Sequence, residues 1–303
     1  MITTLRAMQL SRLKTSIIGT LPWLLCVLML GVLTGCSSVR LAYGNGAQLS
    51  WWWIDGYVDF SSEQAPAVKA AIDRLFDWHR ATQLPDYAEL LASAQAQIQE
   101  PTNAQQACIW QERIRDKLEP TLQRALQEAA LLLPGLGEAQ FKAMEKRYAK
   151  GNEEMRSDFL QPDPAVRRKE SVARAQERAE RLYGSLDDAQ KRVIAEGVAN
   201  SPFEPELWLR DRQRQQREVL QTLRLLAADK ADTAQRLAAL RALVEHAERS
   251  PDPAYRGYQV KLGAYNCAFA AQIHNATTPA QRRKARETLR GWEEDLRALA
   301  APG

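Results

Sequence analysis

One cysteine in this 303-residue chain stands where its thiol can act as the nucleophile of a lipidation reaction. Leu33-Thr34-Gly35-Cys36 is an apolar residue, two small residues and a cysteine. Small residues admit a peptidase between Gly35 and Cys36, and the Cys36 thiol takes a diacylglycerol. Arg6, Arg12 and Lys14 precede it, and residues 17–33 are almost wholly apolar, broken mildly by Pro22. The pattern predicts a signal peptide over residues 1–35, removed from a chain that then starts at Cys36. The competing reading is an uncleaved anchor helix in which Cys36 is incidental. Fatty acyl chains such as palmitate, each buried CH₂ worth roughly 0.8 kcal/mol, hold such a protein at a membrane. This covalent lipid is the only prosthetic group expected. Ser37, where Asp would signal inner-membrane retention, points to the periplasmic face of the outer membrane, with the inner membrane as the alternative.

Other reactive side chains do not assemble into a recognisable motif. His79, His246 and His274 fall in no HExxH pattern, and none has a cysteine or second histidine at ligand spacing, so no metal site is expected. There is no GxSxG elbow, P-loop or GxGxxG. The acidic pairs Asp187-Asp188 and Glu293-Glu294 are adjacent, so on a helix they diverge instead of converging on a substrate. The chain therefore reads as a non-enzyme. Carboxylates brought together from distant positions, as in an envelope hydrolase, would escape this test. Beyond the signal peptide only Cys108 and Cys267 remain besides Cys36. In an oxidising compartment they can form one intramolecular disulfide, or stand as two separate buried thiols.

The charge balance excludes a general nucleic-acid binder. The chain has 41 Lys and Arg against 37 Asp and Glu; losing Arg6, Arg12 and Lys14 leaves 38 against 37. No concentrated positive field results. The 268 residues left after position 35 can bury a sizeable core. Ala, Leu, Arg, Gln and Glu dominate, and no stretch alternates like a strand.

The elements that must position any site therefore read as helices. Val68, Ile72, Leu75, Phe76 and His79 share one helical face. A second stripe, Tyr87, Leu90, Leu91, Ala94 and Ile98, follows the break expected at Pro85. Leu237, Leu240, Val244 and Ala247, and then Leu289, Trp292, Leu296 and Leu299, repeat the spacing. Residues 254–274 carry two stripes: Tyr255, Tyr258, Leu262, Tyr265 and Phe269, and Val260, Ala264, Cys267 and Ala271. Such a helix is expected at the centre of the bundle, with neighbours on both sides. The fold class is all-α: an irregular multi-helix bundle of nine or ten helices, as one domain over residues 47–303. Residues 36–46 read as a lipid-anchored tether that turns at Gly44-Asn45-Gly46.

Helix starts repeat one signature. Ser61-x-x-Gln64, Thr102-x-x-Gln105, Asp187-x-x-Gln190 and Thr278-x-x-Gln281 place a capping residue three before a glutamine; Gly137-x-x-Gln140 is a weaker fifth. Leu186-Asp187-Asp188-Ala189-Gln190 also resembles the LTxxQ motif of Spy-like periplasmic chaperones, with Asp for Thr.

Two surfaces are candidate interfaces. Trp51-Trp52-Trp53, with Tyr57 and Phe60 following, lies fifteen residues after Cys36, at most ~50 Å along an extended chain. The indoles can rest at a membrane interface or enter the core, since three consecutive residues point in three helical directions. Arg210, Arg214 and Arg217 share a second face. Arg167, Arg168, Lys169, Arg174, Arg178 and Arg181 form another basic cluster, with Glu170–Arg174 and Glu177–Arg181 as expected i,i+4 pairs. These are either salt-bridged solvated faces or sites for anionic lipid or peptidoglycan.

Several strings together carry a resemblance: Leu41-Ala42-Tyr43, Trp51–Trp53 leading to Asp55-Gly56-Tyr57-Val58-Asp59, Trp78-His79-Arg80-Ala81-Thr82-Gln83-Leu84-Pro85, and Thr278-Pro279-Ala280-Gln281-Arg282-Arg283 with Gly291-Trp292. The chain resembles a numbered domain-of-unknown-function family of helical lipoproteins from Gram-negative bacteria. That resemblance implies lipidation and an all-helical fold, and it brings no activity or catalytic residue. The expectation is a non-enzymatic envelope protein that binds a partner protein or supports envelope integrity. The alternatives are a chaperone-like or stress-related factor and an unrecognised envelope hydrolase.

Overall fold

The computed structural model describes residues 38–228 and 231–301. The signal peptide expected over residues 1–35, with Gly35 at its end, and Cys36 lie outside them. Eleven α-helices, one 3₁₀ turn and no strand occur among the described residues. The fold is all-α.

The chain divides into two units between Asn45 and Gly46. In the first, α1 (Ser38–Gly44) is helical, and the Asn45 amide donates to the Leu41 carbonyl at 2.9 Å. The stretch expected as a tether is thus helical and not extended over Ser38–Gly44. A helix rises about 1.5 Å per residue, so this stretch spans far less than an extended chain would.

The second unit holds α2 (Gly46–Val58), α3 (Ala65–Gln97), α4 (Ala104–Leu132), the 3₁₀ turn Leu133–Gly135, α5 (Glu138–Phe159) and α6 (Pro164–Tyr183). It continues through α7 (Asp188–Ala199), α8 (Pro205–Ala228), α9 (Thr233–Glu248), α10 (Pro253–Asn275) and α11 (Pro279–Ala300). Side chains at the starts explain the boundaries. Asp187, Asp232 and Thr278 accept from the amides of Gln190, Gln235 and Gln281, and each glutamine reaches back to the capping residue's own amide. Asp163-Pro164 and Asp252-Pro253 combine a cap with proline at the first helical position, where no N–H is needed. The cap expected at Thr102 belongs to Asn103, which accepts from Gln106, and the Asp232–Gln235 box was not anticipated.

Proline does not end α3. Pro85 lies inside a single 33-residue helix, as Pro120 does in α4. An interior proline costs about 3 kcal/mol. Leu84 is 1% and Ala88 0% exposed on either side of Pro85, so burial of the flanking turns offsets that cost. α3 packs along the C-terminal helix α11 and also against α2 and α4. Gln95 donates to Glu293 at 2.6 Å, and Gln99 to the Arg282 carbonyl at 2.8 Å.

Three apolar clusters form the core. One joins Ala130 and Leu133 to Phe141, Met144, Leu220, Leu223 and Leu240. Another joins Ala175, Ala179, Tyr183 and Leu186 to Ile194 and Ala285. The third sets Trp51 on Val68 and Ile72. The expectation of two buried faces on α10 is corrected. Tyr255, Tyr258, Cys267 and Ala271 are buried, but Val260 is 70% exposed and Ala264 is exposed. α10 packs on α4 and α7, and a Cys108–Cys267 disulfide joins it to α4.

Candidate functional site

A cavity of about 630 Å³ opens between α6, the end of α7, the start of α8 and α10. That size suits a small organic ligand; such sites run from about 300 to 1,000 Å³. Its cationic wall comes from one helix. Arg167, Ser171, Arg174 and Arg178 recur along α6 at spacings of four, three and four, which puts them on one face, and Arg168 joins them. Ser171 is small enough to leave space between the guanidinium groups.

The opposite wall is apolar. Phe159 ends α5, Phe203 sits in the Ser201-Pro202-Phe203-Glu204-Pro205 link, and Trp208 lies in the first turn of α8. Prolines hold that link out of helical form. The Ser201 hydroxyl accepts from the Phe203 amide at 3.3 Å, and Tyr258 on α10 accepts from the Glu204 amide at 2.9 Å. The three rings meet edge to face or tilted, with centroids 5.4–6.1 Å apart. Phe269 completes the wall. It fits only because residue 197 is glycine: a Cβ there would lie 2.1 Å from the Phe269 ring.

Two arginines are held in place. Arg167 donates to the Gln161 carbonyl at 2.9 and 3.2 Å and pairs with Glu206 at 3.6 Å. Arg174 lies 4.4 Å over the Phe159 ring and donates to Ser171 at 3.1 Å, in place of the expected pair with Glu170. Arg168 and Arg178 line the cavity and are exposed. Among the described residues no carboxylate lines the cavity. The arrangement can bind an anion beside an apolar group, and its hydroxyls, Ser171 and Ser201, have no base beside them in the lining. Lys169 instead borders a shallow groove on another side of α6, and Arg181 pairs with Glu177 at 2.6 Å as expected.

The other candidate interfaces separate. Trp51 is 9% exposed, stacks on Phe60 and lies under Lys69, whereas Trp52 and Trp53 are 62% and 64% exposed. One indole enters the core and two face outward, with Leu49 a turn away on the same exposed side. On the Arg210–Arg214–Arg217 face the ion pairs of Arg214 fit the salt-bridged reading of these residues. Arg214 is held between Asp211 at 2.8 Å and Glu218 at 2.8 Å, which cancels its charge; Arg210 and Arg217 stay exposed.

That ion-pair network is structural. Asp211 also accepts from Gln215 and from Ser250, whose side chain is fully buried, and His246 bonds Glu218. His274 bridges Tyr183 and the Glu100 carbonyl, and His79 packs on Tyr87. Among the described residues no group of three His, Cys, Asp or Glu side chains is placed to hold a metal ion, and no helix is long and apolar enough to cross a membrane.

The arginines of α6 were legible as a basic cluster, though not as one wall of a cavity. The aromatic wall was not legible, because Phe159, Phe203 and Trp208 lie on three segments. The only signal is that all three flank proline breaks, at Pro162, Pro202 and Pro205. A family model described as "Family of unknown function (DUF6279)" matches residues 56–256, which include both walls except Phe269 and its neighbours on α10. No curated protein and no solved structure matches the chain.

Proposed function

The chain belongs to the DUF6279 family, and from the geometry of its cavity we propose that it is a lipid-anchored, non-enzymatic binding protein of the Gram-negative cell envelope. The observation that carries this reading is the cavity between α6 and α8, with four arginines on one wall, aromatic rings on the other and, among the described residues, no carboxylate in the lining. Binding needs such convergent polar groups on an apolar wall. Hydrolysis would also need a base or a paired acid within reach of the substrate. The address rests on Leu33-Thr34-Gly35-Cys36, with Ser37 favouring the periplasmic face of the outer membrane. The Cys108–Cys267 bridge supports it, since disulfides persist in oxidising compartments such as the periplasm. The outward Trp52 and Trp53 suit a protein held beside a bilayer, where indoles are favoured at the interface.

A photo-crosslinking amino acid in place of Ser171 tests the reading in intact cells. We expect a light-dependent adduct on protein whose Cys36 carries lipid and which sediments with outer-membrane markers. Failure of Ser171 to label anything, while the same group in place of exposed Trp52 does, would overturn the cavity as the functional site. An unmodified Cys36 would overturn the address.

A second reading, a chaperone-like client binder, is favoured by one observation. Cys108–Cys267 and the Thr102–Asn275 hydrogen bonds register α4 antiparallel to α10. Exposed Ile114 and Leu118 therefore lie at the level of exposed Val260. Exposed apolar side chains, where they join into a patch, mark interaction sites. Suppression of aggregation of an unfolded client, lost on Ile114→Asp, would support it.

A further inference from the structure

We infer that the α6–α8 cavity takes a single-chain anionic amphiphile, its phosphate or carboxylate head on the α6 arginines and its apolar chain on the Phe159–Phe203–Trp208 wall. The inference rests on the binding reading above and names the chemistry of the ligand.

Three features carry it. First, charge and apolar surface come from different elements, which meet where Arg174 lies over the Phe159 ring. Every cation in the lining belongs to α6, while Phe159, Phe203, Trp208, Leu262 and Phe269 come from α5, the α7–α8 link, α8 and α10. A ligand spanning the cavity must be anionic on one side and apolar on the other. Second, the cationic wall is not neutralised from within. Glu206 reaches Arg167 alone, and it is itself 60% exposed. Arg174 is fixed over Phe159, and Arg168 and Arg178 are exposed. A planar guanidinium offers paired N–H donors that match a carboxylate or phosphate. Third, the apolar wall is faceted. Phe159 meets Phe203 at 72° and Trp208 at 82°, and Phe203 meets Trp208 at 59°. No two of these rings are parallel, so no slot exists between them for a planar aromatic ligand. A flexible chain can follow such a wall.

Titration of the soluble chain from Ser37 onward, with its disulfide intact, tests this with three probes kept below micelle-forming concentration: dodecyl phosphate, inorganic phosphate and dodecyl maltoside. Calorimetry should show dodecyl phosphate binding at least tenfold tighter than either of the others. The Arg168→Glu/Arg178→Glu double variant should weaken it tenfold or more, with an unchanged far-ultraviolet spectrum. Phe203→Ala should weaken dodecyl phosphate but not inorganic phosphate. Equal affinity for inorganic phosphate would leave only an anion site and overturn the amphiphile. Equal affinity for dodecyl maltoside would remove the role of charge and overturn it as well. Binding that survives the double arginine variant would move the site elsewhere. Labelling from position 171 in cells reports whether the cavity is used at all, so that reading and this one fail separately.

Discussion

The side-chain amides of Gln190 and Gln281 hydrogen-bond to each other, at 2.6 and 2.9 Å, where the starts of α7 and α11 face one another. Each glutamine also closes its own helix start: Gln190 accepts from the Asp187 amide and Gln281 from the Thr278 amide. Their remaining N–H bonds go to the carbonyls of Ala276 and Ser185. A local cap thus becomes a tertiary joint. Gln140 and Gln64 repeat it at 3.2 Å, beside the starts of α5 and α3. Gln190→Ala should cost about 1–3 kcal/mol, because it leaves buried partners without a bond. Gln190→Glu keeps the acceptor for Asp187 but loses the donor to Ala276, so it should also destabilise. The double Gln190→Ala/Gln281→Ala variant should cost less than the two single changes together, since they break one shared contact. Urea unfolding of these four variants, the single Gln281→Ala included, checks this; strict additivity would mean that the two caps act alone.

The same pair shows what was legible in the sequence. Asp187-x-x-Gln190 and Thr278-x-x-Gln281 announce two helix starts, because capping is a local event. That the starts meet is a consequence of packing between residues 91 apart, on which local spacing is silent. Pro85 makes the opposite case. Its local chemistry argues for a break, and the burial of Leu84 and Ala88 overrides it. Among the tryptophans, helical geometry requires divergence, but only tertiary packing decides that Trp51 turns inward. The α6 arginines are readable as a basic cluster, but the rings opposite them come from segments that meet only in the fold.

The Cys108–Cys267 bridge spans 159 positions and ties α4 to α10. Loss of a native disulfide typically costs 2–5 kcal/mol through the unfolded state. Cys108→Ser, Cys267→Ser and the double variant should therefore lose a similar amount of stability. Reductant should lower the melting temperature of the parent and leave the double variant unmoved. A parent insensitive to reductant would show that the bridge contributes nothing to folding.

Gly197 is required by close approach. An added Cβ would meet the Phe269 ring at 2.1–2.8 Å, and the Gly197 carbonyl accepts from Tyr265 at 2.6 Å, holding α7 against α10. Glycine to alanine inside a helix normally stabilises by roughly 1 kcal/mol. Here overpacking should reverse that sign and cost about 1–3 kcal/mol. Because Phe269 lines the cavity, Gly197→Ala should also weaken dodecyl phosphate. A more stable Gly197→Ala protein would mean that the ring moves aside freely.

His274 should give the fold a dependence on pH. It is 5% exposed, its Nε2–H donates to the Glu100 carbonyl at 2.7 Å, and its Nδ1 accepts from the Tyr183 hydroxyl at 2.9 Å. A carbonyl can only accept, so the neutral Nε2–H tautomer satisfies both contacts. Burial pushes the imidazole below its ordinary value near 6.5 and is the largest influence; the Glu100 carbonyl opposes it, and the Arg282 charge reinforces it. Burial likewise raises the Tyr183 phenol to about 12, so that group stays protonated throughout. The unfolded chain takes up a proton at His274 before the folded protein does. The stability from this site is therefore complete above pH 6.5. It declines as pH falls from there through the folded value, by at most about 1.4 kcal/mol per pH unit for one proton. His79, also lowered by burial, adds a decline of the same sign. His274→Leu should lose about 1–3 kcal/mol at pH 8, where the Glu100 carbonyl and Tyr183 lose their partner. Its deficit relative to the parent should shrink between pH 6.5 and 5, because the variant has no proton to take up there. Urea unfolding of both proteins at pH 8, 6.5 and 5 measures this directly, and a deficit that stays constant across that range would show that His274 does not titrate differently in the folded and unfolded chains.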